Sequence, residues 1–235
     1  MREYLELIYN NDKASFYQEL EKYLKKKTPK FIITANPETL ISCEKDKELE
    51  SIILEEKNII VPDGISIVKA CQKIGIDTKE RITGIEISEH LLNLANEKKY
   101  SLYLFGAKKE VLDELIKKIK KEYPNIILLG YQNGYVENKE EVMEKIVNMN
   151  PDICLVAMGI PMQEKLINKY FKKAKKGIYI GVGGSFDVLS GTKKRAPKLF
   201  IKLNLEWLYR ILKEPKRLKR FWNNNVKFLF KVKKN

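Results

Sequence analysis

The sequence predicts an α/β protein: a Rossmann-like, mainly parallel sheet of about six strands covered by helices, with a C-terminal helical basic appendage. Three observations carry this reading. Short apolar runs recur that stop at polar, glycine- or proline-bearing turns, and most of these turns open a stretch of helical period, the alternation that builds parallel sheets. From about residue 193 the charge balance changes abruptly. The clearest stretch is 152–197, where Ile153 to Met158 stops at Gly159-Ile160-Pro161, helix-forming residues run through Lys175, and Ile178 to Val182 stops at Gly183-Gly184-Ser185.

The other elements follow in order. Residues 15–27 read as an amphipathic helix with Ser15 as N-cap and Phe16, Leu20, Tyr23 and Leu24 on one face. Phe31 to Ala35 is an apolar strand ending at Asn36-Pro37, and the proline suits the first turn of a helix. A charged helical stretch runs on to Lys57, and Asn58 to Val61 is a second strand, stopped by Pro62-Asp63-Gly64. A helix from Ile65 to Ile74 leads into the polar loop 77–84, where Arg81 stands alone, and Glu86 to Lys99 is helical. Then come strand Leu102 to Phe105, turn Gly106-Ala107, helix 108–121, strand Ile126 to Leu129, turn 130–134 and helix 138–148. After Pro197, Ile201, Leu205, Leu208 and Leu212 fall at helical spacing until Pro215 interrupts. The expected division is an α/β catalytic domain over 1–195 and a membrane-associating appendage over 196–235.

The 235 residues are 44% apolar, enough for a real core, and carry a net charge of +14. Residues 193–235 hold 15 Lys/Arg against only Glu206 and Glu214, a net +13, which leaves +1 for residues 1–192. A neutral body with a cationic, aromatic-rich tail points to a polyanionic surface met by the tail, and Leu218, Phe221, Trp222, Phe228, Leu229 and Phe230 among the cations suit the membrane interface. Cys43, Cys71 and Cys154 lie far apart with no C-x-x-C spacing, which argues against disulfides and a zinc site. No apolar run approaches the roughly 18–20 residues needed to span a bilayer, and the start shows no secretory leader. The expected location is the cytoplasm, with peripheral attachment to the inner face of the membrane.

In open α/β sheets ligands bind beyond the carboxyl ends of the strands, which singles out Asn36, Thr39, Asp63, Gly106, Gln163, Glu164, Gly184, Ser185 and Asp187. Asp63 reads either as a plain turn residue or as a general base, a carboxylate held at a strand end to take a proton from an attacking hydroxyl. Gln163-Glu164 opens a helix, where polar residues also serve the helix dipole. The GVGG of 181–184 resembles a phosphate loop but lacks the G-x-G-x-x-G order, and neither a Walker A sequence nor an Asp-x-Asp pair occurs. No metal or cofactor is therefore expected, and diphosphate charge would fall to Arg, Lys and backbone N–H groups. His90, the single histidine, has no recognisable catalytic partner.

Taken together, TANPETL (34–40), VPDGISIV (61–68), RITGIEI (81–87), LFGAKKEV (104–111), PDICLVAMGIPMQEKLI (151–167), GVGGSFDVLSGTKKRAP (181–197) and LEWLYRILKEPKRLKR (205–220) resemble the WecG/TagA/CpsF family of bacterial glycosyltransferases, glycosyltransferase family 26. The resemblance implies inverting, metal-independent transfer of N-acetylmannosamine or a related sugar from a UDP-sugar donor to a polyprenyl-diphosphate-linked sugar acceptor. In the family's teichoic-acid branch the product is the linkage unit of wall teichoic acid. It places the catalytic aspartate on Asp63, sets Asn36 and Thr39 at the donor or acceptor sugar and Gln163 at the nucleotide sugar, and gives Arg210, Arg217 and Arg220 to the diphosphate or lipid. Arg81 would line the substrate site. At 130–135, GYQNGY, relatives commonly carry a histidine where Asn133 stands. Other readings are a different donor, such as UDP-ManNAcA or UDP-glucose, a dinucleotide-dependent oxidoreductase, and a nucleic-acid-binding module using the tail. The main reading has no nucleic-acid partner, an anionic membrane surface as one partner, and possible homo-oligomers.

Overall fold

The computed structural model describes residues 1–233, leaving aside the side chains of Arg217, Arg220 and Lys233. In chain order the elements are α1 (Arg2–Glu6), α2 (Lys13–Lys25), β1 (Lys30–Ala35), α3 (Pro37–Cys43), α4 (Lys47–Ile53), β2 (Ile59–Pro62), α5 (Ile65–Lys73) and α6 (Gly84–Lys98). There follow β3 (Ser101–Gly106), α7 (Lys109–Glu122), β4 (Ile127–Gln132), α8 (Lys139–Met149), β5 (Ile153–Ala157), α9 (Met162–Phe171), β6 (Ile178–Gly181) and α10 (Ser185–Leu189). The chain closes with α11 (Lys198–Lys202), α12 (Glu206–Lys213) and α13 (Arg217–Lys233).

The six strands form one sheet in the order β2-β1-β6-β5-β3-β4, every pair parallel. Successive strand residues face opposite sides, and here both sides are covered. Phe31, Ile33, Tyr103, Phe105, Cys154, Val156 and Tyr179 pack into one apolar layer with residues of α3, α4, α5, α8 and α9. Ile32, Leu102, Leu104, Ile153, Leu155, Ile178 and Ile180 pack into the other with α2, α6, α7 and α10. Burial on two faces explains why the strands read as continuous apolar runs. It also means that the strands are open only at their ends, where the turns lie.

The element boundaries differ from the sequence reading in places with local causes. Asp12, not Ser15, caps α2, its carboxylate accepting from the Ser15 amide at 2.7 Å. The stretch after Pro37 divides into two helices because Asp46 caps a second one. Thr83 and Glu86 close a capping box, so α6 begins at Gly84. The predicted turn at 130–134 is mostly strand: a Cβ on Gly130 would stand 2.7 Å from the Tyr103 ring, so the glycine lets β4 run on beneath that ring to Gln132. The helix expected through Lys175 ends at Phe171.

The tail is joined to the body by its last helix. α13 packs on α3 and α5, with Phe228 fully buried, Val232 nearly so, and Lys231 paired with Glu44. The tail, α13 included, also presents large apolar side chains outward: Leu199, Leu203, Trp207, Leu212, Leu218, Trp222, Leu229 and Phe230 are exposed. Among the described residues no helix is long and apolar enough to cross a membrane.

Candidate active site

The site assembles at the carboxyl ends of the strands. β1 ends at Asn36, whose side-chain oxygen accepts from the amides of Glu38 and Thr39 at 2.9 and 3.1 Å, while the Thr39 hydroxyl accepts from the Asn36 amide at 3.2 Å. This reciprocal cap holds the start of α3 and engages the polar atoms that the sequence offered to a sugar. Next to it, the Asp63 amide donates to Ala35 O at 2.9 Å, so the turn after β2 is laced to the end of β1. Asp63 is half-buried, and its Oδ1 accepts from the Gly84 amide at 3.0 Å, in the first turn of α6, where the helix dipole favours an anion. Gly84 lies against the neighbouring strand ends: a Cβ there would make ordinary contact with the Thr34 methyl at 3.4 Å and Ser185 Oγ at 3.6 Å. The turns after β1, β2 and β6 thus meet around one carboxylate.

Burial pushes the Asp63 carboxyl up to about 6, while Arg210, the Gly84 amide and Arg81 draw it down and Glu206 raises it. A carboxyl in that range is mostly ionised at neutral pH yet basic enough to take a proton, which is what a general base needs. Arg210 lies on α12 and is exposed, and its charge acts on the Asp63 carboxyl, so the tail brings a cation toward this strand end. Arg81 is nearly buried, its Nη2 2.6 Å from Glu206 Oε2 and 3.5 Å from Ile201 O. The arginine predicted to line the site is therefore paired with the tail. Arg217 and Arg220 are on α13, and their side chains lie outside the described residues.

On the β5 and β6 side, Gln163 is 1% exposed and acts as a strut. Its Oε1 accepts from Gly159 N at 3.1 Å and Gly183 N at 3.0 Å, tying the two turns together, and its Nε2 donates to Glu164 Oε1 at 2.7 Å. A Cβ on Gly181 would stand 2.5 Å from Nε2, so the glycine of β6 makes the room. The Gln163 amide supports the turns and is not a surface open to ligand. Ser185 is also engaged, its hydroxyl donating to Val182 O at 2.7 Å. Gly184 is exposed, and Asp187 stands 3.5 Å from Lys193. Gly106, at the end of β3, has φ +134° with a Cβ position 2.2 Å from Ala157 O, so only glycine fits this approach of two strands. Asn133 forms a turn of its own, accepting from the Tyr135 amide at 2.9 Å.

Glu164 is fully buried, its Oε2 has no hydrogen-bond partner, and burial pushes its carboxyl up to about 6. The folded state therefore binds its proton more tightly than the unfolded chain does. The stability it contributes is complete below the ordinary carboxyl range and is lost as pH rises through about 6, a swing of about 2 kcal/mol. Glu164→Gln, which imitates the protonated acid, is expected to leave stability at pH 4.5 nearly unchanged and raise it at pH 7.5 by about that amount. Thermal unfolding of both proteins across this range checks the difference.

Sequence reasoning missed Glu206, which is 6% exposed and lies between Arg81 and Arg195. The available signal was its isolation, one of two acids among the 15 cations of residues 193–235.

The family model described as "Glycosyl transferase WecG/TagA/CpsF family" matches residues 4–235. Curated relatives named N-acetylglucosaminyldiphosphoundecaprenol N-acetyl-beta-D-mannosaminyltransferase include a Bacillus subtilis (strain 168) protein, 43% identical over 90% of this chain and 82% of its own length. One from Bacillus spizizenii (strain ATCC 23059 / NRRL B-14472 / W23) is 40% identical over the same shares, and one from Staphylococcus aureus (strain MW2) is 35% identical over 87% of this chain and 80% of its own.

Proposed function

The chain belongs to the WecG/TagA/CpsF family of glycosyltransferases, and from that membership we propose that it transfers N-acetylmannosamine from UDP-ManNAc to undecaprenyl-diphosphate-linked GlcNAc, the step that makes the wall teichoic acid linkage unit. The observation that carries the chemistry is Asp63: a half-buried carboxylate with a raised pKa at a strand end, hydrogen-bonded to the Gly84 amide and under the influence of the Arg210 charge.

In the proposed step Asp63 takes the proton of the acceptor sugar's hydroxyl while that oxygen bonds to the donor's anomeric carbon. The bond from that carbon to the diphosphate oxygen breaks, its electron pair leaves with UDP, and the configuration inverts. Positive charge grows on the sugar and negative charge on the leaving diphosphate, so the second needs fixed cations. Arg210 supplies one beside the base, and Arg217 and Arg220 are assigned the same task from the family resemblance. Because guanidinium groups meet the diphosphate, turnover is expected to persist in EDTA. The acceptor is a lipid, and the tail's outward Trp207, Leu212, Leu218, Trp222 and Phe230 among its lysines and arginines suit an anionic membrane surface, which supports peripheral attachment on the cytoplasmic side. In this reading residues 1–195 are the catalytic domain and 196–235 the membrane-associating tail.

The test is purified protein with UDP-ManNAc and a short-chain lipid-diphosphate-GlcNAc, following disaccharide and UDP together. Equal amounts of both in the presence of EDTA are expected. Transfer only from another UDP-sugar would replace the donor, and no transfer from any UDP-sugar would remove the reading.

A further inference from the structure

We propose that Glu206 is a positioning residue for this reaction: held between Arg81 and Arg195, it seats α12 on the body and so sets Arg210 against Asp63. The proposal rests on the transferase reading above for its catalytic half and on geometry for the seat.

Glu206 opens α12, and its two oxygens are divided between two cations of the body side: Oε2 is 2.6 Å from Arg81 Nη2, and Oε1 is 3.8 Å from Arg195 Nε. Arg195 is itself anchored, its Nη1 2.9 and 3.1 Å from the two oxygens of Glu89 on α6. Its Nε has no hydrogen bond, so Glu206 is the group it faces there. A carboxylate 6% exposed between two guanidinium groups differs from a surface ion pair: loss of its charge removes the group that ties α12 to Arg81, while Arg195 keeps its pairing with Glu89.

Glu206 and Arg210 are four residues apart on one helix and share a face, so fixing the first directs the second. Elsewhere on α12 Leu212 is exposed, and Trp207, also exposed, stacks its ring on that of Phe221 of α13 with centroids 4.6 Å apart. α12 thus turns the charge of Glu206 inward, while Arg210 and Lys213 on the same helix stay exposed. Its seat is electrostatic. The groups that bear on Asp63 are Arg210 and Glu206 from α12, Arg81 from the loop before α6, and the Gly84 amide at the start of α6. Three of these four influences depend on where Glu206 holds α12 and Arg81.

Both tryptophans of the protein, Trp207 and Trp222, lie in the tail, so their fluorescence reports the seat without reference to activity. Glu206→Gln is compared with the unaltered protein by acrylamide quenching and by transfer kinetics over pH 5–9, with UDP-ManNAc, a short-chain lipid-diphosphate-GlcNAc and no vesicles. Expected are stronger quenching, an unfolding temperature of the body close to the original, and a fall in kcat of about 10- to 100-fold with KM for the donor less affected. The acid limb of the rate profile moves as well, and Glu206→Asp, which keeps the charge, lies between. Unchanged quenching overturns the seat. Stronger quenching with unchanged kcat and pH profile overturns the positioning role. If the unaltered protein transfers no UDP-sugar, the transferase reading fails and takes the catalytic half with it, while the quenching comparison still decides the seat.

Discussion

Replacing Asp63 by asparagine is expected to lower turnover by about 10²–10⁴-fold with the fold intact. The amide is nearly isosteric and keeps an oxygen for the Gly84 N–H 3.0 Å away, so the turn that links β1, β2 and α6 survives. What is lost is the ability to accept a proton as the acceptor's hydroxyl attacks. The stability change should be small and of a definite sign. The Asp63 carboxyl is raised to about 6 in the fold, so its contribution is lost as pH rises through that value, and at pH 7.5 the asparagine protein should be no less stable than the original. Single-turnover transfer by the variant, with matched circular dichroism and melting, checks both parts. Full turnover with retained folding would remove Asp63 from the mechanism.

Arg210→Ala should have the second-largest effect, and pH divides it into two components. Arg210 is the strongest influence holding the Asp63 carboxyl down, so its removal moves that carboxyl further up and shifts the acid limb of kcat/KM to higher pH. Raising the pH restores the base but cannot restore the cation that meets the leaving diphosphate. A loss of about 10²–10³-fold is therefore expected to persist on the alkaline plateau, with a larger loss at pH 6. Arg210→Lys returns the charge without the planar fork and should recover the limb more than the plateau. A pH profile of the three proteins separates these outcomes. A uniform loss across pH would place Arg210 on the substrate alone.

The body's fold was legible because its pattern is local. Strands buried on both faces appear as unbroken apolar runs, and strand ends appear as Gly-Ile-Pro, Pro-Asp-Gly or Gly-Gly-Ser punctuation, so the six parallel strands could be read from the chain. The boundaries that were misread turned on contacts between elements. Gly130 belongs to β4 because the Tyr103 ring lies over it, a partner 27 positions away that no local rule reveals.

The site divides in the same way. Asp63, Arg81, Gln163 and Arg210 were singled out because the sequence shows what stands at a strand's end and what charge a segment carries. It does not show what those side chains already hold. Gln163 was read as a nucleotide contact, and the fold engages its amide with Gly159, Gly183 and Glu164. Arg81 was read as lining the substrate site, and the fold pairs it with Glu206. The tail was read as an appendage lying on a membrane, and the fold anchors its last helix through Phe228 and Val232 while leaving its other apolar side chains outward.

By itself the sequence determined the α/β class, the family, the identity of the strand-end carboxylate and the cationic tail, because period, punctuation and composition are properties of neighbours along the chain. Only the tertiary structure decided that Asp63 is poised near neutrality, that Gln163 is a strut, and that a lone acidic residue of the tail sits between two arginines. Burial and charge pairing arise between residues far apart in sequence. The charge of Arg210 acts on Asp63 only because the returning tail comes back to the strand ends.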